Sequence, residues 1–242
     1  MIEVRLHTPL CDLLGIEYPI LQAGMVPGGV AELVVAVSNA GGLGVLGASG
    51  YEPEVVREKI RWIKEHTDKP FGVDLLLPAT MAEVEENKTE VKDSLAIEYP
   101  EHVAWVNDMK KRFNIPDARA PEESAYTPSF IRRQVEVILE EQVPVFVSAL
   151  GPPGWMVPDA HAQGIKVIGM AGSIRHARRH VEAGVDIVVA QGHEAGGHTG
   201  RIATMVLVPQ VVDAIAPVPV AAAGGIGDGR GLAAALALGA VG

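Results

Sequence analysis

"IKVIGMAGSIRHARRHVEAGVDIVVAQG", residues 165–192, decides the fold. An apolar β-rich run ends in glycine, a stretch of helical periodicity follows, and a second apolar run ends in Gln191 and Gly192. A strand, a helix and a strand in that order make a parallel pair joined by a right-handed crossover. Both strand runs are almost continuously apolar, as they must be when both faces of a sheet are covered.

The same unit recurs in both directions. Upstream, "YPILQA" (18–23), "GLGVLGA" (42–48), "PFGVDLLLP" (70–78) and "VPVFVSAL" (143–150) read as strands. The intervening "GGVAELVVAVSNA" (28–40), "EPEVVREKIRWIKEHT" (52–67) and "SFIRRQVEVILEEQ" (129–142) read as helices; Val55, Val56, Ile60 and Ile63 keep helical spacing. "GWMVPDAHAQG" (154–164) is a short helix before the opening unit. Downstream, "MVLVPQVVDAIA" leads to a seventh strand, "PVPVAAAGG" (217–225), and "GRGLAAALALGA" is a last helix. Seven βα units with glycine or polar residues just past most strands predict an α/β fold, a (β/α)8 TIM barrel, with 1–242 as a single domain. The chain stops at "LGAVG", where an eighth strand should begin, so the reading is of a barrel truncated before that strand. Residues 79–128, after the third strand, are an insertion with four prolines, more charge, and a helical pattern around 98–113. The segment fits an active-site wall or lid, and equally a surface insertion without a role in chemistry.

Composition narrows the function classes. Of the 242 residues, 48% are hydrophobic and 21% charged, as in an ordinary globular protein. A net charge of −10 argues against a nucleic-acid partner. Cys11 is the only cysteine, which rules out an internal disulfide and suits the reducing cytoplasm. The first twenty residues lack a signal peptide's apolar core, and no run approaches the roughly 18 apolar residues of a membrane span. A soluble, cytoplasmic protein is expected.

Three clusters carry chemistry. In "AAAGGIGDGRG" (221–231), Gly224 and Gly225 end a strand and a helix starts near Gly229. Bare backbone N–H groups beside a helix start suit a phosphate, and barrels commonly bind phosphate there; the same glycines also suit a plain tight turn. In "QGHEAGGHTG" (191–200), Gly196 and Gly197 let backbone approach a flat ligand, and His198 brings an imidazole, the side-chain type suited to proton transfer near neutrality. His193 and His198 stand five apart among glycines, not at the four-residue spacing of a helical zinc pair, so no metal is expected. In "PILQAGM" (19–25), Gln22 offers donor and acceptor at the end of the first strand, or ties down neighbouring backbone. Asp74 is an acid within an apolar strand, where it needs a partner in a ligand or in the backbone.

Taken in order, "PILQAGM", "NAGGLGVLG", "FGVDLLLP", "VAQGHEAGGHTG" and "AAAGGIGDGRGLAAALALGA" resemble the nitronate monooxygenase family, formerly 2-nitropropane dioxygenases. The flavin-dependent enoyl-acyl-carrier-protein reductases look similar, as do flavin reductases of acyl-CoA thioesters. The resemblance implies a TIM barrel holding FMN across its C-terminal mouth. It implies that Gln22, Ala23, Gly24 and Met25 line the ring, and that Gln191, Gly196 and Gly197 contact the cofactor. By the same resemblance Gly224 and Gly225 form the phosphate turn, with the Gly225 N–H on the phosphate. The family usually has asparagine where this chain has Asp74. His198, not His193, matches the family's catalytic position.

The implied activity is oxidation of alkyl nitronates by O2 to carbonyl compounds and nitrite, with His198 as base or orienting group. The alternatives are NAD(P)H-dependent reduction of an enoyl or acyl thioester, and a nonenzymatic phospholigand-binding barrel. Family members continue into an eighth strand with a Gly-Thr pair and a C-terminal cover. The expectation is therefore that the 242 residues are a piece of a longer chain, or else that another chain fills the gap, and that on their own they have weak FMN affinity and little activity.

Overall fold

The computed structural model describes residues 6–25, 30–77, 96–116 and 127–242. Six strands, β1 (Gly44–Gly47), β2 (Phe71–Leu77), β3 (Val145–Leu150), β4 (Lys166–Ala171), β5 (Ile187–Gln191) and β6 (Val220–Ala223), form one sheet in sequence order. Every pairing is parallel. The first predicted strand lies beside β1 through a bridge between Leu21 and Leu43. At the other edge, the Val241 N–H donates to Val220 O at 2.8 Å and the Ala222 N–H to Gly242 O at 2.8 Å. The sheet therefore curls through seven strand positions of the predicted barrel, and residues 241–242 begin to pair on the far side of β6.

Alternation along the strands separates two cores. On β2, Phe71, Val73, Leu75 and Leu77 are buried against the helices, so Gly72, Asp74 and Leu76 face the barrel axis. The inner core holds Leu43, Val45, Val145, Val147, Ile168 and Ile187. Its floor is α1 (Pro9–Leu14), which buries Leu10, Cys11 and Leu14 there. The sequence reading passed over α1. Its six residues are too few to show periodicity, although Pro9 at its first turn and Gly15 at φ +68° mark its two ends.

The helical layer is α2 (Ala31–Asn39), α3 (Pro53–His66), α5 (Pro128–Glu140), α6 (Val157–Ala162), α7 (Ile174–Glu182), α8 (Thr204–Ile215) and α9 (Gly229–Ala237). α3 starts on Pro53 and buries Val56, Ile60 and Ile63; full burial of one such side chain contributes about 1.5–3 kcal/mol. Arg57 ties α3 to α5 through Glu140 at 2.7 Å and Glu141 at 3.1 Å. Thr127 caps α5 by accepting from the Phe130 N–H at 3.2 Å, and Ser173 caps α7 through the His176 N–H at 3.3 Å. α2 presses on β1 so closely that a Cβ on Gly44 would lie 2.1 Å from Val34 O. Buried Ser38 fastens the same contact, donating to Pro70 O at 2.9 Å and accepting from the Gly44 N–H at 3.2 Å. His180 of α7 is buried against Gly169 of β4, and burial lowers its pKa to about 4.

Of the 79–128 stretch, residues 96–116 and 127–128 are described. They include α4 (Pro100–Arg112), at the place of the predicted helical pattern. None of its residues is buried. The rest of that stretch lies outside the described residues. No helix among the described residues is long and apolar enough to cross a membrane.

Candidate functional site

Segments 22–25, 191–198 and 224–225 stand at or just past the C-terminal ends of strands, at one mouth of the barrel, while Asp74 lies midway along β2 on the face toward the axis. Segment 22–25 lies against the end of β1 at Gly47 and the middle of β2 at Asp74. The Gln22 N–H donates to Leu43 O at 2.9 Å, and its side-chain Nε2 donates to Val45 O at 3.0 Å and Ala23 O at 3.2 Å. With both Nε2 protons used, Gln22 Oε1 is buried and has no partner. The segment reaches this position only because two side chains are missing. A Cβ on Gly47 would meet Met25 backbone at 2.7–2.8 Å, and one on Gly24 would lie 2.4 Å from Asp74 Oδ2. Ala23 and Met25 face outward, Met25 with 43% of its surface exposed.

Asp74 pairs in register with Gly47 on one side and Val147 on the other. As a residue it is half-buried, yet Oδ1, which carries charge when the acid ionises, is sealed from water and has no partner. Burial without a compensating donor pushes its carboxyl up to about 7. Two oxygens of this region, Gln22 Oε1 and Asp74 Oδ1, are therefore orphaned. An orphaned buried polar group is costly unless a ligand supplies its hydrogen-bonding partner.

The loop after β5 is held at both ends. Gln191 faces Ala223 in register, and its Nε2 donates to His198 O at 3.2 Å, so this amide positions the backbone beneath the imidazole. Glu194 Oε2 accepts from the Thr204 N–H at 2.9 Å and from the Thr204 hydroxyl at 2.8 Å. The flanking Ala203 has no side chain able to cap α8, and Glu194 fills that role from nine residues upstream. These bonds hold the Glu194 carboxyl at about 2. His193 Nδ1 lies 3.0 Å from the same oxygen, which ties that ring to the structural end of the loop. Farther on, a Cβ on Gly200 would lie 2.6 Å from Gly172 O, so the loop rests on the turn after β4. Between the two anchors Gly196 and Gly197 look onto open space, Gly197 at φ +74°, and His198 is exposed.

The turn after β6 joins this loop. Gly224, at φ +111°, has the Thr204 hydroxyl 2.6 Å from where a Cβ would stand, and that hydroxyl also lies 2.9 Å from Gly224 O. Gly225 follows at φ +70°. Among the described residues, none accepts from the backbone N–H groups of Gly225, Ile226 or Gly227. α9 starts at Gly229 as read from the sequence, but Asp228 already caps it, accepting from the Arg230 N–H at 2.9 Å. The donors left for an anion are those of 225–227. Leu150, at φ +75° on the end of β3, is a strained residue on the same mouth that the sequence did not reveal.

Thr204 is the joint of the whole arrangement, and its loss has a defined cost. Thr204→Val keeps the shape and removes a hydroxyl that faces a carboxylate and a carbonyl. We expect it to lower stability by about 1–3 kcal/mol and to speed amide exchange over 192–203. Unchanged urea unfolding and exchange would show that the clamp contributes nothing.

Comparison with known proteins follows the same outline. The family model described as nitronate monooxygenase matches residues 7–242. A Mycobacterium tuberculosis protein, Rv1533, whose name places it among monooxygenases without a substrate, is 43% identical over 245 residues, spanning 98% of this chain and 64% of that protein. The structure of FabK from Thermotoga maritima superposes with a TM-score of 0.74 at 36% identity, covering 97% of this chain and 60% of that one. A nitroalkane oxidase from Streptomyces ansochromogenes superposes with a TM-score of 0.75 at 32% identity, covering 96% and 65%. The chain thus spans under two thirds of the length of each.

Proposed function

This chain belongs to the nitronate monooxygenase family, and on that premise we propose that it works as an FMN-dependent oxidoreductase, converting alkyl nitronates with O2 to carbonyl compounds and nitrite. The observation that carries the cofactor reading is the pair of orphaned oxygens, Gln22 Oε1 and Asp74 Oδ1. Each lacks a hydrogen-bonding partner, and a flavin ring carries donors and acceptors on its edges. Gln22, Ala23, Gly24, Met25 and Asp74 would hold the ring on one side. Gln191, Gly196 and Gly197 would hold it on the other, the glycines leaving room for a flat body. Gly224 shapes the turn, and the free N–H groups of Gly225–Gly227 suit the phosphate. When bound, the flavin supplies electron acceptance and the route to O2.

The rest is done by this chain's own groups. His198 holds or removes the proton on the carbon bearing the nitro group, or orients a substrate that is already anionic. Gln191 fixes the height of that imidazole through its bond to His198 O. The proposal treats 1–242 as one barrel domain with 79–128 inserted, acting in the cytoplasm, where the free thiol of Cys11 is at home.

The likeness to FabK supports a second reading, reduction of an enoyl or acyl thioester by NAD(P)H. Reconstitution with FMN separates these possibilities. The purified protein should acquire absorption bands near roughly 370 and 450 nm and release nitrite from a nitronate in air. Anaerobic bleaching by NADPH or NADH without nitrite production would favour the reductase. A protein extended through an eighth strand that stays colourless and that FMN does not reconstitute would remove both.

A further inference from the structure

Asp74 is the one acid on β2 and faces the barrel axis. Three elements pack around it: segment 22–25, β1 at Gly47, and β3 at Val147. None of these carries a titratable or charged side chain; they read QAGM, GVLG and VFVSAL. The polar side chain nearest in sequence to Gly24 is Gln22, whose Nε2 donors are spent and whose Oε1 is itself orphaned. Asp74 Oδ1 therefore has neither a cation nor a donor to stabilise a negative charge, and burial accordingly raises its pKa to about 7. A carboxylic acid in such a place is favoured in its neutral form, which carries an O–H.

Resting on the flavin reading above, we infer that Asp74 meets the cofactor ring as a neutral acid, its O–H donating to a ring acceptor, so that flavin affinity weakens as the side chain ionises. An asparagine at this position would donate at every pH. An aspartate makes the same contact conditional on pH, and its ionised form would set a bare carboxylate against the electron-rich edge of the ring. Ring binding is then coupled to one proton.

The test is the FMN dissociation constant between pH 5.5 and 9, read by quenching of flavin fluorescence, for the wild-type protein and for Asp74→Asn. The wild-type constant should rise about tenfold per pH unit above neutrality, as one-proton linkage requires. The variant should show only the shared titration of the FMN phosphate. Parallel pH profiles for the two proteins would overturn the inference and leave the flavin reading standing. No binding by either protein at any pH, with both extended through an eighth strand, would overturn the flavin reading, and this inference with it. Should the variant not fold, the infrared carboxyl band of the wild-type FMN complex decides: a protonated Asp74 at pH 6 supports the inference, and an ionised one overturns it.

Discussion

Replacing His198 by alanine is expected to lower turnover of a neutral nitroalkane about 10²–10⁴-fold, the usual contribution of a positioned general base. FMN affinity should change less than about threefold, because the imidazole makes none of the contacts that shape the cradle. The ring stands on a short span between two anchors, Glu194 on Thr204 and Gly200 on Gly172, with its own carbonyl held by Gln191. His193→Ala is the matched control. Its ring is tied to Glu194, so it should cost less than about tenfold in rate. Nitrite release at saturating substrate measures both. If His198 removes a proton, the loss should be largest with neutral nitroalkane and much smaller with preformed nitronate; an equal loss with both assigns it to orientation. A His198→Ala enzyme within threefold of wild type on both substrates would dismiss the residue from the chemistry.

Asp74→Asn is expected to stabilise the cofactor-free protein at alkaline pH and to do little at acid pH. The carboxyl's ordinary value of 3.8 is raised to about 7 in the fold. A raised folded value means that the native state holds its proton when the unfolded chain has already released it. The stabilisation is therefore complete below about pH 4, declines across pH 4–7, and is gone above 7. Full linkage for such a shift is about 4 kcal/mol; since part of the side chain meets solvent, we expect about 2–3 kcal/mol between the variants' difference at pH 8.5 and at pH 4. Urea unfolding of both proteins at the two pH values checks it. Glu194, Glu141 and Asp186 have lowered values and act in the opposite direction as pH falls. They do so equally in both proteins, so the difference isolates Asp74. Equal stability increments at the two pH values would show that Asp74 is ionised in the fold like any surface acid.

The strands were legible because a parallel sheet covered on both faces leaves continuous apolar runs, such as "VDIVVA", closed by glycine or a polar residue. Helices α3 and α5 were legible from Ile60 and Ile63 or Phe130 and Val137 spaced on one face, with Pro53 and Pro128 at their starts. α1 was hidden by brevity, and its burial depends on Val145 and Ile168, far along the chain. At the site, the residue types were legible and their company was not. That Gly24 lies on Asp74 is a contact across fifty residues, set by how the first strand lies on β1 and β2. Glu194 stands between His193 and His198, and nothing beside it in the sequence points to its partner. Its actual engagement with Thr204 follows from Ala203, which leaves the start of α8 without a local cap. Leu150 carries no mark in the sequence of the positive φ it adopts.

The seam of the barrel has a consequence for the order of events in folding. Thr8 donates its hydroxyl proton to Val241 O across 233 positions, and Gly242 sits so near Leu10 and Pro19 that a side chain would collide with both. Each βα unit closes a short loop and can gather its own apolar face early, whereas this junction must bring together segments separated by nearly the whole length of chain. Its loop-closure entropy is repaid only once the intervening units are in place. Until then, the floor helix has no walls to rest on and the edge of β6 stays open. The joining of 6–21 to 240–242 should thus follow the rate-limiting step, and substitutions there should slow folding least and speed unfolding most.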